Sequence, residues 1–268
     1  MAGLFGGFFN YDKEGPGVEK NAPKKNGFIV FFEIYFKNFW KLTISSVWFL
    51  LLSAPVVTMG LAAAGFTNVV RNMALDRHSF GTSDFFSTIK KNWKQALPAG
   101  IINAVIFFIL IGDILFFYNA TQGVGMLLGI AVVVTVLLLF IMMQFYMWTI
   151  LITFKLNLKQ IYINSFKFAL IGLKRNFLVI LLSLLVYAAI FVLFLVGKNI
   201  IALVATLIVV FALPGFQFLL IQFNIFENIK KYMIIPYYND HPDEDIDLRR
   251  SMGIYEEENE AEIIEDLM

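Results

Sequence analysis

Four apolar runs, at about residues 96–118, 123–152, 177–197 and 199–226, limit what this chain can fold into more than any other feature. Each reaches the ~20 residues that an α-helix needs to cross ~30 Å of hydrocarbon. The breaks between them are short. NATQG (119–123) splits the first pair and GKN (197–199) the second, so each pair is expected to form an antiparallel helical hairpin. Composition agrees, with 59% hydrophobic and 15% charged residues, where a soluble domain has roughly half and a quarter. The chain reads as an all-α polytopic membrane protein.

An earlier run, 40–73, is ambiguous because it contains SAPVVTMG (53–60). Pro55 removes a helical hydrogen bond and Gly60 weakens the helix further. One long helix kinked at Pro55 would give five spans, whereas two short arms would give six spans in three hairpins. Basic residues decide between these readings, because cytoplasmic loops carry the Lys/Arg excess. They fall as six in 1–41, five in 71–94, five in 155–175, one at Lys198 and four in 230–250. A hairpin at 40–73 leaves 20 of the 21 inside, with Lys198 the exception. Six helices with both termini cytoplasmic is therefore the preferred reading, and five spans the runner-up.

A phrase recurs at the starts of three apolar stretches: KNFWKL (37–42), KNWKQA (91–96) and KRNFLV (174–179). Upstream of each copy lies a short segment with aromatics at helical spacing. In TSDFFSTIKKNW, Phe85, Phe86, Ile89 and Trp93 are expected on one face. Ile161, Phe166, Ala169, Leu170 and Leu173 form a similar set, and in FIVFFEIYFKNFW Glu33 and Lys37 are spaced to pair. These segments are expected as amphipathic helices lying on the inner leaflet, with the phrase marking entry into a hairpin.

Residues 1–39 then form an N-terminal cytoplasmic or interfacial segment, 40–230 the transmembrane domain and 231–268 an acidic cytoplasmic tail. Residues 1–239 hold 19 basic and 8 acidic residues, whereas 240–268 hold 2 and 12. Such a tail is expected to be solvated, with docking on the basic loops as the alternative. The opening MAGLFGGFFNYDKEGPG lacks the pattern of a secretory signal.

Little in the sequence points to catalysis. There is no Cys, and His78 and His241 lack a second ligand at metal-binding spacing. GVGMLLG (123–129) follows no strand, so Gly125 and Gly129 are read as a helix-packing GxxxG and not as a nucleotide loop. No enzyme, metal or cofactor is expected. Ionisable groups inside a membrane are costly and raise a functional question by default. Asp113, in FILIGDILFFY, is the acid within an apolar run, and Lys198 is the cation assigned outside. Together with Gln144 and Gln217 they make a candidate polar membrane site, read either as a structural pair with interhelical amides or as a solute contact. Gln222 and Asn224 extend this thin stripe. Pro214-Gly215 is expected to break the last helix, as Pro55 breaks the first.

FFNYDKEGPGVEKNAPKK, FKNFWKL leading into LLSAPVVTMGLAAAGFTNVVRN, and SDFFSTIKKNWKQALPAGIINAVIFFILIGD together resemble the YesL-like integral membrane proteins of Gram-positive bacteria. The resemblance is strongest over about 1–118 and looser to about 235. It implies an accessory role beside binding-protein-dependent sugar importers, and it supplies no catalytic or ligand-binding residues. The EAA…G loop by which importer permeases engage their ATPase is lacking. The expected partners are the lipid bilayer and membrane-transporter subunits, with no nucleic acid. A self-sufficient small-solute transporter or channel, and a structural protein binding another membrane protein, are the alternatives.

The topology makes a direct prediction. Single cysteines introduced at 119–123 or 197–199 should react with an impermeant maleimide in intact cells, and a cysteine at position 20 should not. Labelling at position 20 would replace the six-helix scheme by five spans.

Overall fold

The computed structural model describes residues 27–240 except 76, 78, 121 and 198. The expectations for the N-terminal 1–26, the tail from 241, His78, His241 and Lys198 lie outside these residues. All regular structure among the described residues is helical: α1 (Gly27–Lys37), α2 (Phe39–Ser53), α3 (Met59–Ala74), α4 (Thr82–Ala120), α5 (Gly123–Thr153), α6 (Leu158–Ile171), α7 (Leu173–Val196), α8 (Asn199–Leu207), α9 (Leu213–Ile229) and α10 (Ile235–Asp240). Three of them, α4, α5 and α7, are long and apolar enough to cross a membrane.

The ambiguous run folds back on itself. Pro55 takes an extended conformation after α2, and the Thr58 hydroxyl closes the turn by donating to the carbonyls of Leu52 and Pro55. The chain then returns as α3. Phe49 stacks on Phe66 with ring centroids 5.2 Å apart, and Lys41 Nζ donates to the Ser79 carbonyl at 2.9 Å. The start of α2 thus lies beside the segment that follows α3, so the arms are antiparallel. With 15 and 16 residues, the arms are about 22 and 24 Å long at ~1.5 Å per residue.

Small residues explain where α3 sits. Ala62, Ala63, Ala64, Gly65 and Phe66 are all buried, as α2, α4, α5 and α9 pack around this helix. Its closest approach is to α4, at two glycines. A Cβ on Gly60 would lie 2.3 Å from the Ala96 carbonyl oxygen and 2.6 Å from Gly100 Cα, which leaves no room for one. Without side chains at this crossing the backbones touch, as small residues permit between membrane helices. Gly60 is therefore a packing surface as well as a helix weakener. The expected Gly125/Gly129 pair behaves differently: Gly125 faces open space, and only Gly129 is packed, beneath the Phe117 ring.

One expected interfacial helix is absent as a separate element. Residues 82–93 continue without a break through Pro98 into the apolar half of α4, making 39 residues in one helix. Packing holds it straight on. Phe85 and Thr88 are buried against α3, and Asn68 Nδ2 donates to Thr88 Oγ1 at 2.8 Å. The predicted face is accordingly divided, because Phe86 and Trp93 remain 40% and 50% exposed. The other two segments do form distinct helices. α1 seats Phe31 against Phe216 and Phe223 of α9. α6 opens on a capping box between Asn157 and Gln160 and buries Ile161 and Ala169, while Phe166 and Leu170 stay exposed.

The run 199–226 is not one uninterrupted α-helix. A π-helical turn, Ile208–Ala212, divides α8 from α9 just before Pro214. Proline lacks the N–H that would close the ladder, and a π turn is a regular way to absorb that loss. The distal parts of α4, α5, α7 and α8 expose apolar side chains such as Phe108, Leu128, Phe191 and Ile200. Such surface is compatible with lipid contact.

Crowding at the α3–α4 crossing yields a stability prediction. Gly60→Ala should destabilise the purified protein by about 1–3 kcal/mol, the usual cost of overpacking. Gly112→Ala, with nothing within 4 Å of the new methyl, should unfold no earlier than the parent, since Ala favours a helix interior over Gly by about 0.5–1 kcal/mol. Thermal unfolding in mild detergent compares the two.

Candidate functional site

The second half of α5 carries polar side chains on two sides, Gln144 on one and Tyr146, Thr149 and Thr153 on the other, and each bonds to a neighbouring helix. Gln144 Oε1 accepts from Asn103 Nδ2 of α4 at 2.9 Å, and Asn103 Oδ1 accepts from the Tyr162 hydroxyl of α6 at 2.9 Å. Burial pushes the Tyr162 hydroxyl up to about 12, so it stays a donor across the physiological range. Two residues beyond Gln144, the Tyr146 hydroxyl donates to Asn176 Oδ1 of α7 and accepts from Asn228 Nδ2 of α9, both at 3.0 Å. Asn176 is fully buried; it also accepts from Asn224 Nδ2 at 3.1 Å and donates to the Ala169 carbonyl at 3.2 Å.

Further along α5, Thr149 and Gln222 of α9 bond through their side chains at 2.9 Å. Thr153 donates back to the Thr149 carbonyl and accepts from the Arg71 guanidinium, which reaches it from the last turn of α3. Arg71 also donates to Asn68 Oδ1 at 3.0 Å. α5 thus ties α3, α4, α7 and α9 together through side-chain hydrogen bonds, and α6 joins through Asn103 and Asn176.

An apolar cavity of about 430 Å³ lies where α3, α4, α5 and α9 meet, beside the Gly60–Gly100 contact. Phe107, Phe145, Trp148 and Phe218 are among its lining residues, which also include the polar Thr67, Asn103, Gln144 and Gln222. Gln144 Nε2 is buried there without a hydrogen-bond partner. Among the described residues the lining has no acid, base or histidine. Among the described residues there is no cluster of His, Asp and Glu that could bind one.

The predicted polar residues do not all meet. Gln144 lines the cavity, and Gln222 and Asn224 join α9 to its neighbours. Gln217 is partly buried and has no hydrogen-bond partner among the described residues. Asp113 is partly buried in the distal half of α4. It stands ten residues beyond Asn103, or about 15 Å along the helix. Its proposed pairing with Lys198 falls outside the described residues. Pro55 and Pro214 both sit at breaks, one at the turn of the α2–α3 hairpin and the other at the start of α9.

A family model described as a protein of unknown function, DUF624, matches residues 42–114. The match covers α2, α3 and most of α4, including the Gly60–Gly100 contact. It lies within the part of the chain that most resembles the YesL-like proteins, and it supports an uncharacterised family without that name. No curated protein and no solved structure matches the chain.

Asn103, Tyr146, Thr149, Asn176 and Tyr162 carry much of this polar network, and the first three stand in the sequence as single polar residues among apolar ones. A signal was present in one case: Asn176 is the amide of the third copy of the repeated phrase. The other two amides bond only locally, Asn38 to the Ile34 carbonyl and Asn92 to the Thr88 carbonyl. Substituting Asn176 with Ala should therefore cost about 1–3 kcal/mol, the penalty for stranding buried partners. Asn38→Ala and Asn92→Ala should each cost well under about 1 kcal/mol. Chemical denaturation in detergent ranks the three.

Proposed function

We propose that this chain is a non-enzymatic, multi-pass protein of the cell membrane that acts by contact, as an accessory component of a transport system. The observation that carries this reading is how the interior polar groups are spent. Gln222 binds Thr149, Asn224 binds Asn176, and Gln144 accepts from Asn103, so most of the amides join one helix to another. A coupled transporter generally places ionisable groups along a path near mid-membrane, and the described residues lining the central cavity include none. Binding-protein-dependent sugar import is the system that the YesL-like resemblance suggests. In this reading both termini and the basic loops face the cytoplasm, where α1 and α6 offer exposed faces to a partner.

A second reading has a specific observation behind it. The cavity, the unpartnered Gln144 amide and the π turn ahead of Pro214 are features a small-solute carrier could use. Reconstitution separates the two. In the accessory reading, liposomes containing the purified protein take up sugars and ions no faster than empty vesicles, and importer subunits co-purify in mild detergent. Uptake that depends on Gln144 or Asp113 would establish the carrier instead.

A further inference from the structure

The central cavity beside the Gly60–Gly100 contact has an opening. Val56 and Met59, at the turn of the α2–α3 hairpin, and Phe107 and Phe108 of α4 all line it, and all four are also exposed. Phe107 and Phe108 stand midway along the apolar run 96–118. With that run across a bilayer, the opening lies near the middle of the hydrocarbon. A molecule that enters there comes from the lipid phase, and passage through hydrocarbon selects against charge.

Inside the opening a hydrogen-bond donor is left over. Asn103 Nδ2 faces two acceptors, Gln144 Oε1 at 2.9 Å and Met147 Sδ at 3.3 Å, while Asn103 Oδ1 accepts from the Tyr162 hydroxyl. A thioether sulfur can only accept, so these contacts fix which end of each amide carries the hydrogens. The Gln144 oxygen is thereby used, and its Nε2 is buried with no partner among the described residues. An unpaired donor in apolar surroundings is costly, and a ligand that supplies an acceptor removes that cost. Asn103 lies about one helical turn from Phe107, or ~6 Å along α4, so an acceptor has only a short way to travel.

The volume of about 430 Å³ suits a small molecule, and apolar, aromatic walls with a few polar groups are the usual lining of such sites. We propose that this cavity binds an uncharged, lipid-soluble molecule through a carbonyl oxygen, with Gln144 Nε2 as the donor and Phe145, Trp148 and Phe218 against its apolar body. A neutral glyceride ester and a free ketone or quinone share this chemistry. The ligand comes from the bilayer and not from water, and the proposal is independent of an accessory role in transport.

Benzophenone, an uncharged ketone that cross-links to neighbouring C–H bonds on illumination, is a direct probe for the full-length protein in lipid vesicles. Labelling should saturate and map to peptides containing Met59, Phe107 or Trp148. The ketone 2-dodecanone should displace it at roughly tenfold lower concentration than dodecane, because one hydrogen bond separates the two competitors. Gln144→Met should erase that difference, and Ala104→Phe, which fills the cavity from α4, should abolish the labelling. The comparison of competitors on the parent protein decides the matter even if a variant fails to fold. Displacement by dioleoylglycerol would identify a glyceride ester as the source, and its failure beside an effective ketone would identify a smaller lipophile. Labelling spread over the exposed apolar surface, or equal displacement by ketone and hydrocarbon, would overturn the proposal. So would a ketone preference that persists in a folded Gln144→Met variant.

Discussion

Helices within a bilayer gain nothing by exchanging lipid contact for contact with each other's apolar side chains. Their association rests on close packing and on hydrogen bonds between side chains. In this chain both are concentrated around α3 and the second half of α5. At Gly60 and Gly100 the backbones of α3 and α4 touch, where a single methyl would collide with the Ala96 carbonyl. Once that crossing is set, α2 closes over α3 through Phe49 and Phe66, and α9 approaches with Phe218 at 4.6 Å from the Phe66 ring. The arms of the hairpin are shorter than the hydrocarbon they would have to span alone. Burial among four neighbours makes α3 part of the interior, so its length need not match the bilayer.

Polar chemistry then fastens the outer elements to this interior. Tyr146, Thr149 and Thr153 recur along one side of α5 and Gln144 lies on the other, and each is a link to another helix. Individually such bonds contribute about 0.6 kcal/mol on average in a membrane protein. Their importance lies in geometry: a buried amide has few alternative partners, so each bond fixes a rotation or register that apolar packing would leave loose. Among the described residues, no side-chain hydrogen bond joins the distal halves of α4, α5, α7 and α8 to another helix, and these halves expose apolar side chains. The molecule thus pairs a tightly connected half with a half whose apolar surface is open to lipid.

The helices and their short connections are legible in the sequence because length and apolarity alone decide them. The return of the chain after Pro55 is legible too, once the distribution of Lys and Arg is considered. What is harder to read is the boundary between segments of one helix. KNFWKL and KRNFLV do fall at helix junctions, but KNWKQA lies inside α4, whose N-terminal turns are held by Phe85 and Thr88 against α3. The same short phrase has different outcomes because tertiary contacts override local preference. The polar network is hidden for a similar reason. Asn103 and Asn176 look like isolated amides until folding brings Gln144 and Tyr146 opposite them. Gly60 shows the converse, a residue whose local effect is plain but whose packing role depends on Gly100, forty positions away.

The central claim is that residues 39–74 form a closed antiparallel hairpin against α4, and a distance across its open end tests it most directly. Trp40 and Phe80 are both well exposed, at 75% and 71%, and flank the Lys41–Ser79 hydrogen bond. Spin labels at these two positions in the Cys-free chain should therefore lie within about 20 Å in double electron–electron resonance, one label length added to a close backbone contact. A continuous helix would separate positions 40 and 74 by about 50 Å at ~1.5 Å per residue; the six residues from 74 to 80 can return at most about 21 Å of that, so a 40–80 distance above about 30 Å would contradict the hairpin.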